Sequence, residues 1–328
     1  MSDISHSVFR RALVAPDTYE ALREREGGFV DSQGIFYPFV GDGVRVVDFI
    51  APHAAGQFDR DNLEMYNSAH SVEIYRNFLN WLFETFDVQE DAFRAELLSH
   101  LRLEPGMRVL IAGCGLGEDI ALVSDQVGST GEVHAQDLSK AMVVEAASKN
   151  AQPHIGFTIS NALHLPYPTG YFDAVFHFGG INLFGGDMRV AVAELDRVCK
   201  EGGRVVFGDE GIAAHLRGTE YYEVAVRNNA LWGREAPMAA LPHGAKDVQL
   251  NYVLGNCFYL IGYVSGKTLP YMNIDVPHQG TRGGTARTRY FGQIEGVSAE
   301  VKAKLYAKAR KDGVSAHDLL EKLLSAHL

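Results

Sequence analysis

The 328-residue chain has little cysteine: Cys114, Cys199 and Cys257, far apart from one another. Without a C-x-x-C or a paired framework, neither a disulfide scaffold nor a structural zinc site is expected, and the setting is read as reduced and cytoplasmic. H-E-x-x-H and similar spacings are missing, so no metal is expected. No stretch approaches 18 consecutive apolar residues, and residues 1–6 lack the apolar core of a leader, so no membrane span is expected. Positive charge is in deficit, with 30 Lys and Arg against 41 Asp and Glu, a formal net charge of −11. A phosphate-tracking surface needs clustered basic residues, so this balance argues against a nucleic-acid partner. Repeats and low-complexity tracts are absent as well. What remains is ordinary globular composition, 46% hydrophobic and 22% charged, on a chain long enough for one core domain with appended pieces.

One stretch organises that chain: residues 108–119, RVLIAGCGLGED. Val109, Leu110, Ile111 and Ala112 read as a short buried strand of a parallel sheet. Gly113, Gly115 and Gly117 follow, then a helix with Glu118 and Asp119 in its first turn. A strand that passes through glycines into a helix N-terminus offers unpaired backbone N–H groups to a ligand that can come close. A dinucleotide fingerprint, G-x-G-x-x-G, would need glycine where this chain has Glu118.

From Arg108 onward the chain alternates strand and helix. Strands are expected at 132–136, ending at Asp137, at 157–160, ending at Asn161, at 172–178 and at 204–207, leading to Asp209 and Glu210. Ser139 reads as the N-cap of a helix through Lys149. A β-hairpin at 248–254 and 258–264 closes a doubly wound α/β sheet, and ligands of such sheets bind beyond the carboxyl ends of the strands. An acid at Asp137, just past the second strand, can accept both hydroxyls of a ribose. His177 lies within a strand and reads as a core histidine or a base. Asp209 and Glu210 read as bases at the ligand edge or as solvated loop acids.

This series of G-x-G-x-G, Asp137, the Asn161-to-Pro168 run, Phe172-Asp173-Ala174-Val175 and the Gly202-Gly203 turn resembles the class I S-adenosylmethionine (SAM)-dependent methyltransferases over roughly residues 100–210. Within that superfamily it is similar to the ubiquinone and menaquinone methyltransferase branch. The resemblance implies a seven-stranded, mostly parallel sheet and SAM as cofactor. It implies cofactor contacts at Gly113, Gly115 and Gly117, at Asp137 and Leu138, at Met142 on the adenine face, and at Asn161 and Ala162 for adenine. Phe178 would border the methyl group, and Asn182 the acceptor. Ile111 stands where family members often carry an acid. Ahead of the motif, a helical segment with Tyr66 is the expected lid over the cofactor. Catalytic candidates are Asp209, Glu210 and His177.

The flanking pieces are less specific. Residues 1–56 read as a small β-rich module, with hairpins at 27–46. They resemble the zinc-ribbon activator of tRNA and translation-factor methyltransferases, but Ala15 and Thr18 stand where its cysteines would be. Residues 57–265 form the expected SAM-binding domain with its helical lid, and 266–328 a C-terminal extension. There Arg282, Arg287 and Arg289 cluster ahead of Tyr290. Alternating spacing on an extended strand would put Arg287 and Arg289 on one side, suited to an acidic acceptor or to pairing with nearby acids. Two closing amphipathic helices leave a homodimer open. The expected activity is methylation of a small molecule, possible acidity of that molecule included. Methylation of tRNA or a translation factor, and a non-catalytic SAM-fold scaffold, stay as alternatives.

Overall fold

The computed structural model describes residues 12–41, 44, 46–50, 71–279, 284–290 and 297–328. They divide into two compact units, residues 1–269 and 270–328.

The first unit is built on one continuous sheet. Its strands are β1 (Arg23–Arg25), β2 (Gly28–Val30), β3 (Phe36–Val40), β4 (Val46–Asp48), β5 (Arg108–Ala112), β6 (Glu132–Asp137), β7 (Ile155–Ile159), β8 (Phe172–Phe178), β9 (Cys199–Glu210), β10 (Lys246–Val253) and β11 (Phe258–Val264). Their order across the sheet is β1-β2-β3-β4-β7-β6-β5-β8-β9-β11-β10. β4, β7, β6, β5, β8 and β9 run parallel, and β11 and β10 return antiparallel at the far edge. The order reverses between β5, which precedes the glycine loop, and β8, so the switch point of the sheet lies beside that loop.

The sheet thus has eleven strands where seven were expected, because four N-terminal strands extend it beyond β7. β4 pairs in parallel with β7, Val46 opposite Phe157, and β3, β2 and β1 follow as antiparallel ribbons. The physical reason is coverage. Successive strand residues point to opposite faces, so Val109 and Ile111 join one core, with Ile120 and Val123 of α3 (Glu118–Val127) and Val143 and Ala146 of α4 (Lys140–Asn150). Also on that face are Leu82 and Phe83 of α1 (Ser71–Phe86) and Phe93, Leu97 and Leu98 of α2 (Glu90–Ser99).

Leu110 and Ala112 point the other way. There Val192, Leu195 and Val198 of α5 (Met188–Val198) cover part of the sheet, and Phe29, Tyr37, Val47 and Phe49 cover the rest. Burying each of those aromatic side chains is worth about 1.5–3 kcal/mol as an upper estimate. The block is also tied by polar contacts. The Tyr19 hydroxyl donates to Glu194 at 2.8 Å, and the Arg197 guanidinium lies 4.1 Å from the Tyr19 ring centre.

After β9, α6 (Glu220–Asn228) and short 3₁₀ turns fill the long insertion before β10. The second unit holds α7 (Ala286–Tyr290), α8 (Ala299–Asp312) and α9 (Ala316–Ser325). Ser298 and Ser315 cap the last two helices through their hydroxyls, and Gly313, left-handed at φ 67°, ends α8. Here the structure corrects the sequence reading. Arg287 and Arg289 lie in a helical turn rather than on an extended strand, and helical residues two apart face different ways. The Arg287 guanidinium forks onto Asp275, with N···O distances of 2.5 and 2.9 Å.

No described helix is long and apolar enough to cross a membrane. Among the described residues, no group of three His, Cys, Asp or Glu could hold a metal ion.

Candidate functional site

At the carboxyl edge of the parallel strands, sequence neighbours of five strands come together. β5 leaves Ala112 and enters the glycine loop, where φ is 66° at Gly113, 53° at Gly115 and 85° at Gly117. Only glycine takes that left-handed backbone at no steric cost. Side chains also crowd these positions. A Cβ on Gly113 would lie 3.1 Å from the His177 ring, one on Gly115 3.2 Å from the Tyr75 hydroxyl, and one on Gly117 2.9 Å from Ala146 and Asn150 of α4. Gly117 then starts α3, whose first N–H groups face the loop without a side-chain cap.

β6 fixes the loop from one side. Cys114 N–H donates to the Gln136 carbonyl at 2.8 Å, and Gly115 N–H donates to Asp137 Oδ2 at 3.0 Å. Asp137 Oδ1 accepts from Ser139 N–H at 2.9 Å, while Ser139 caps α4 by accepting from Met142 N–H. Burial pushes the Asp137 carboxyl up, and these backbone donors pull it back. Leu138 N–H is a third backbone donor, so three of the four lone-pair sites of the carboxylate are used and one remains. Leu138 beside it is half-buried, and Met142 is buried on α4. Burial also pushes the Cys114 thiol up, away from the nucleophilic thiolate.

After β7, Asn161 Oδ1 accepts from Leu163 N–H at 2.9 Å and so closes the turn, with Ala162 half-buried next to it. After β8, Phe178 packs edge-on against Phe93, with ring centres 5.6 Å apart, and stacks on Phe258 at 6.0 Å. Gly179 and Gly180 follow, both left-handed, with nothing within 4 Å of where a Cβ would stand. That opening borders the strand end at which an acceptor would meet the loop.

His177 precedes this opening. It pairs in register with Ala112, and its Nδ1 lies 2.9 Å from the Ala112 carbonyl. A carbonyl only accepts, so Nδ1 carries the proton and Nε2 a lone pair. Burial lowers the ring to about 4, which keeps it neutral near pH 7.

β9 delivers the two acids. Asp209 is buried and accepts from Asn182 N–H at 2.6 Å and from Glu210 N–H at 2.8 Å. Burial first, and then the Glu210 carboxyl beside it, push the Asp209 carboxyl well up, so Asp209 holds a proton where an ordinary aspartate would not. Glu210 is half-buried, with Asn229 Nδ2 3.5 Å from its Oε1. Asn182 is spent within the fold: its Nδ2 donates to the Glu210 carbonyl at 2.7 Å, its Oδ1 faces the Tyr259 hydroxyl, and its carbonyl accepts from Arg234.

Two participants are not evident from sequence. Tyr75 reads there as one member of an apolar stripe, yet its hydroxyl reaches the glycine loop. Burial raises that phenol, and Arg94, Glu118, Asp119 and Asp137 all act on it electrostatically. Arg94 of α2, which is buried, binds Glu90 at 2.7 Å and Asp119 of α3 at 3.0 Å, which pins α2 against the start of α3. The spacing of Arg94 to Glu90 is a helical i, i+4 pair visible in sequence, whereas Asp119 carries no local sign of it. Tyr66 and Arg282 lie outside the described residues. Arg287, Arg289 and Tyr290 belong to the second unit.

Comparison with known proteins gives this geometry a family context. Residues 109–203 match the family model described as a methyltransferase domain. The chain is 31% identical over 150 residues to the demethylmenaquinone methyltransferase of Staphylococcus aureus (strain MRSA252), across 43% of this chain and 61% of that protein. It is 34% identical over 121 residues to the demethylmenaquinone methyltransferase of Lactococcus lactis subsp. lactis (strain IL1403), across 36% and 48%. Thus it spans about half to three fifths of the length of these curated relatives. Among solved structures it is similar to geranyl diphosphate C-methyltransferase of Streptomyces coelicolor A3(2), at 15% identity and TM-score 0.49, across 65% of this chain and 100% of that one.

Proposed function

We propose that this protein transfers the methyl group of S-adenosylmethionine to a small-molecule acceptor, with Glu210, backed by Asp209, receiving the acceptor's proton. The observation that carries the reading is Asp137. Its carboxylate anchors the loop and α4 through the backbone N–H groups of Gly115, Leu138 and Ser139, and of its four lone-pair sites one remains at the strand end for a ribose hydroxyl. The glycine loop fits the same group, because left-handed turns without side chains let a nucleotide approach the backbone, and α3 presents its N-terminus there. Met142 and Asn161 flank that edge for the adenine, with Leu138 and Ala162 beside them.

When bound, the cofactor supplies an electrophilic methyl carbon on a positively charged sulfur, displaced in line with the carbon–sulfur electrons leaving to sulfur. The chain aligns and excludes water. Gly179 and Gly180 leave room for the acceptor, and Phe178 with Phe258 gives that room an apolar wall. Glu210 takes the proton, and the protonated Asp209 donates to it so that the two carboxyls do not repel. The relatives' printed name makes a demethylmenaquinone-type ring the first acceptor to test.

The test is incubation with methyl-labelled SAM and fractionated cell extract. Label entering small metabolites supports the reading. Label entering RNA or protein moves the acceptor to tRNA or a translation factor, and SAM binding with no turnover makes the chain a scaffold.

A further inference from the structure

Beside the glycine loop, one ring nitrogen has no use within the fold. His177 is 4% exposed, and its Nε2 has no hydrogen-bond partner among the described residues. The ring cannot turn over to satisfy itself, because Nδ1–H is committed to the Ala112 carbonyl, the last residue before the glycine loop. The loop in turn depends on the ring: Gly113 is left-handed, and a Cβ there would press on His177 Cε1 and Nδ1 at 3.1 Å. A packing role alone would be served by a phenylalanine or leucine, because the in-register neighbours of His177, Ala112 and Phe207, belong to an apolar core. A buried lone pair that lacks a donor is a cost to the fold, and it is recovered when a donor arrives.

The geometry points to His177 Nε2 as the acceptor for the α-ammonium group of the bound cofactor, an inference that rests on the cofactor reading above. Sheet order supplies the direction. Asn161 follows β7, Asp137 ends β6, the glycine loop follows β5 and His177 lies near the end of β8, and these four strands are neighbours in that order. With adenine toward Asn161 and ribose on Asp137, the amino-acid end of the ligand runs along the loop toward β8. Of the groups at that end, the carboxylate accepts and only the ammonium donates. A neutral ring with Nδ1 protonated is the form that accepts, and burial keeps His177 in it. Ile111, buried in the apolar core, supplies no acceptor from β5.

The experiment compares three ligands by calorimetry on the full chain: S-adenosylhomocysteine, its deaminated 2-oxo analogue, and 5′-methylthioadenosine, which lacks the amino-acid end. The wild type is expected to prefer S-adenosylhomocysteine to the deaminated analogue by at least tenfold. His177→Phe keeps the ring volume and removes Nε2. It should cut S-adenosylhomocysteine affinity at least tenfold and leave the other two ligands within about twofold, so that the preference disappears. Equal loss for all three ligands would make the histidine purely structural and overturn the inference. An unchanged preference in the variant would overturn it too. A wild type that binds methylthioadenosine but does not discriminate by the amino group overturns this inference alone. One that binds none of the three overturns the cofactor reading beneath it.

If His177→Phe does not fold, the wild type labelled with ¹⁵N-histidine gives the same answer. One Nδ1-protonated ring should shift its Nε2 resonance with S-adenosylhomocysteine and not with methylthioadenosine. No such shift rejects the inference.

Discussion

Asp137 holds Gly115 and Ser139 with one oxygen each, and this double duty sets what its removal should do. Asp137→Ala should weaken S-adenosylhomocysteine binding by about 1–3 kcal/mol through lost charge-assisted hydrogen bonds. Calorimetry at matched folded fraction checks this, and unchanged affinity would remove Asp137 from the site. Glu210→Gln should lower turnover and leave that affinity within about twofold, since it removes only the proton acceptor; equal losses in both would place Glu210 in cofactor binding. At this scale the glycines and Asp137 were legible because their spacing is local and their chemistry follows from residue type. Tyr75 and Arg94 were not. Tyr75 reaches the loop from α1 and Arg94 reaches Asp119 from α2, and nothing in the sequence around them records either contact. Asn182 has fold contacts that the sequence did not show. Its position past β8 suggested an acceptor contact, and the structure finds both ends of its amide engaged by neighbours.

β6 carries a pH-dependent contact as well as the site. The His134 ring beside it, 3.6 Å away, and the Tyr171 hydroxyl, donating at 2.6 Å, hold the Glu132 carboxyl down to about 2. A folded-state pKa below the unfolded one, about 4.3, means that the unfolded chain binds more protons between these values. Glu132 therefore stabilises fully above that range, and the contribution is lost as pH falls toward 2. Glu132→Gln should show a shallower loss of stability between pH 5 and pH 3 than the wild type in urea denaturation; an equally steep loss would mean the contact contributes nothing. The N-terminal strands make a second case. Phe49 is 2% exposed in the same core as Leu110 and Val175. Phe49→Ala should cost about 3–5 kcal/mol and lower one shared melting transition. A separate early transition confined to the N-terminal strands would show that they fold as an independent module. The strands at 27–46 were readable from their glycine turns and aromatic runs. Their attachment was not, because Val46 pairs with Phe157 across more than a hundred residues and such pairings leave no periodic signal. The short helix at α7 was missed for a local reason, since five residues are too few to establish a period.

At the scale of the whole molecule, the doubly wound order was legible from the alternation of apolar runs and amphipathic helices. The division at residues 269 and 270 falls just past the last strand, close to where composition turned to glycine and arginine. The arginines of the C-terminal unit carry the sequence expectation of an acidic acceptor. Arg287 is engaged by Asp275. Arg289→Gln should raise the acceptor KM and leave S-adenosylhomocysteine affinity intact if that unit reads an acidic group; unchanged kinetics would take the unit out of acceptor recognition. The binding and turnover expectations depend on one property, a cofactor pocket at the switch point between β5 and β8. Isothermal calorimetry of the full chain with S-adenosylhomocysteine measures it most directly. The account predicts saturable binding of one molecule per chain, weakened by Asp137→Ala and not displaced by NAD. The absence of binding by the wild-type protein, or equal affinity for NAD, would contradict it.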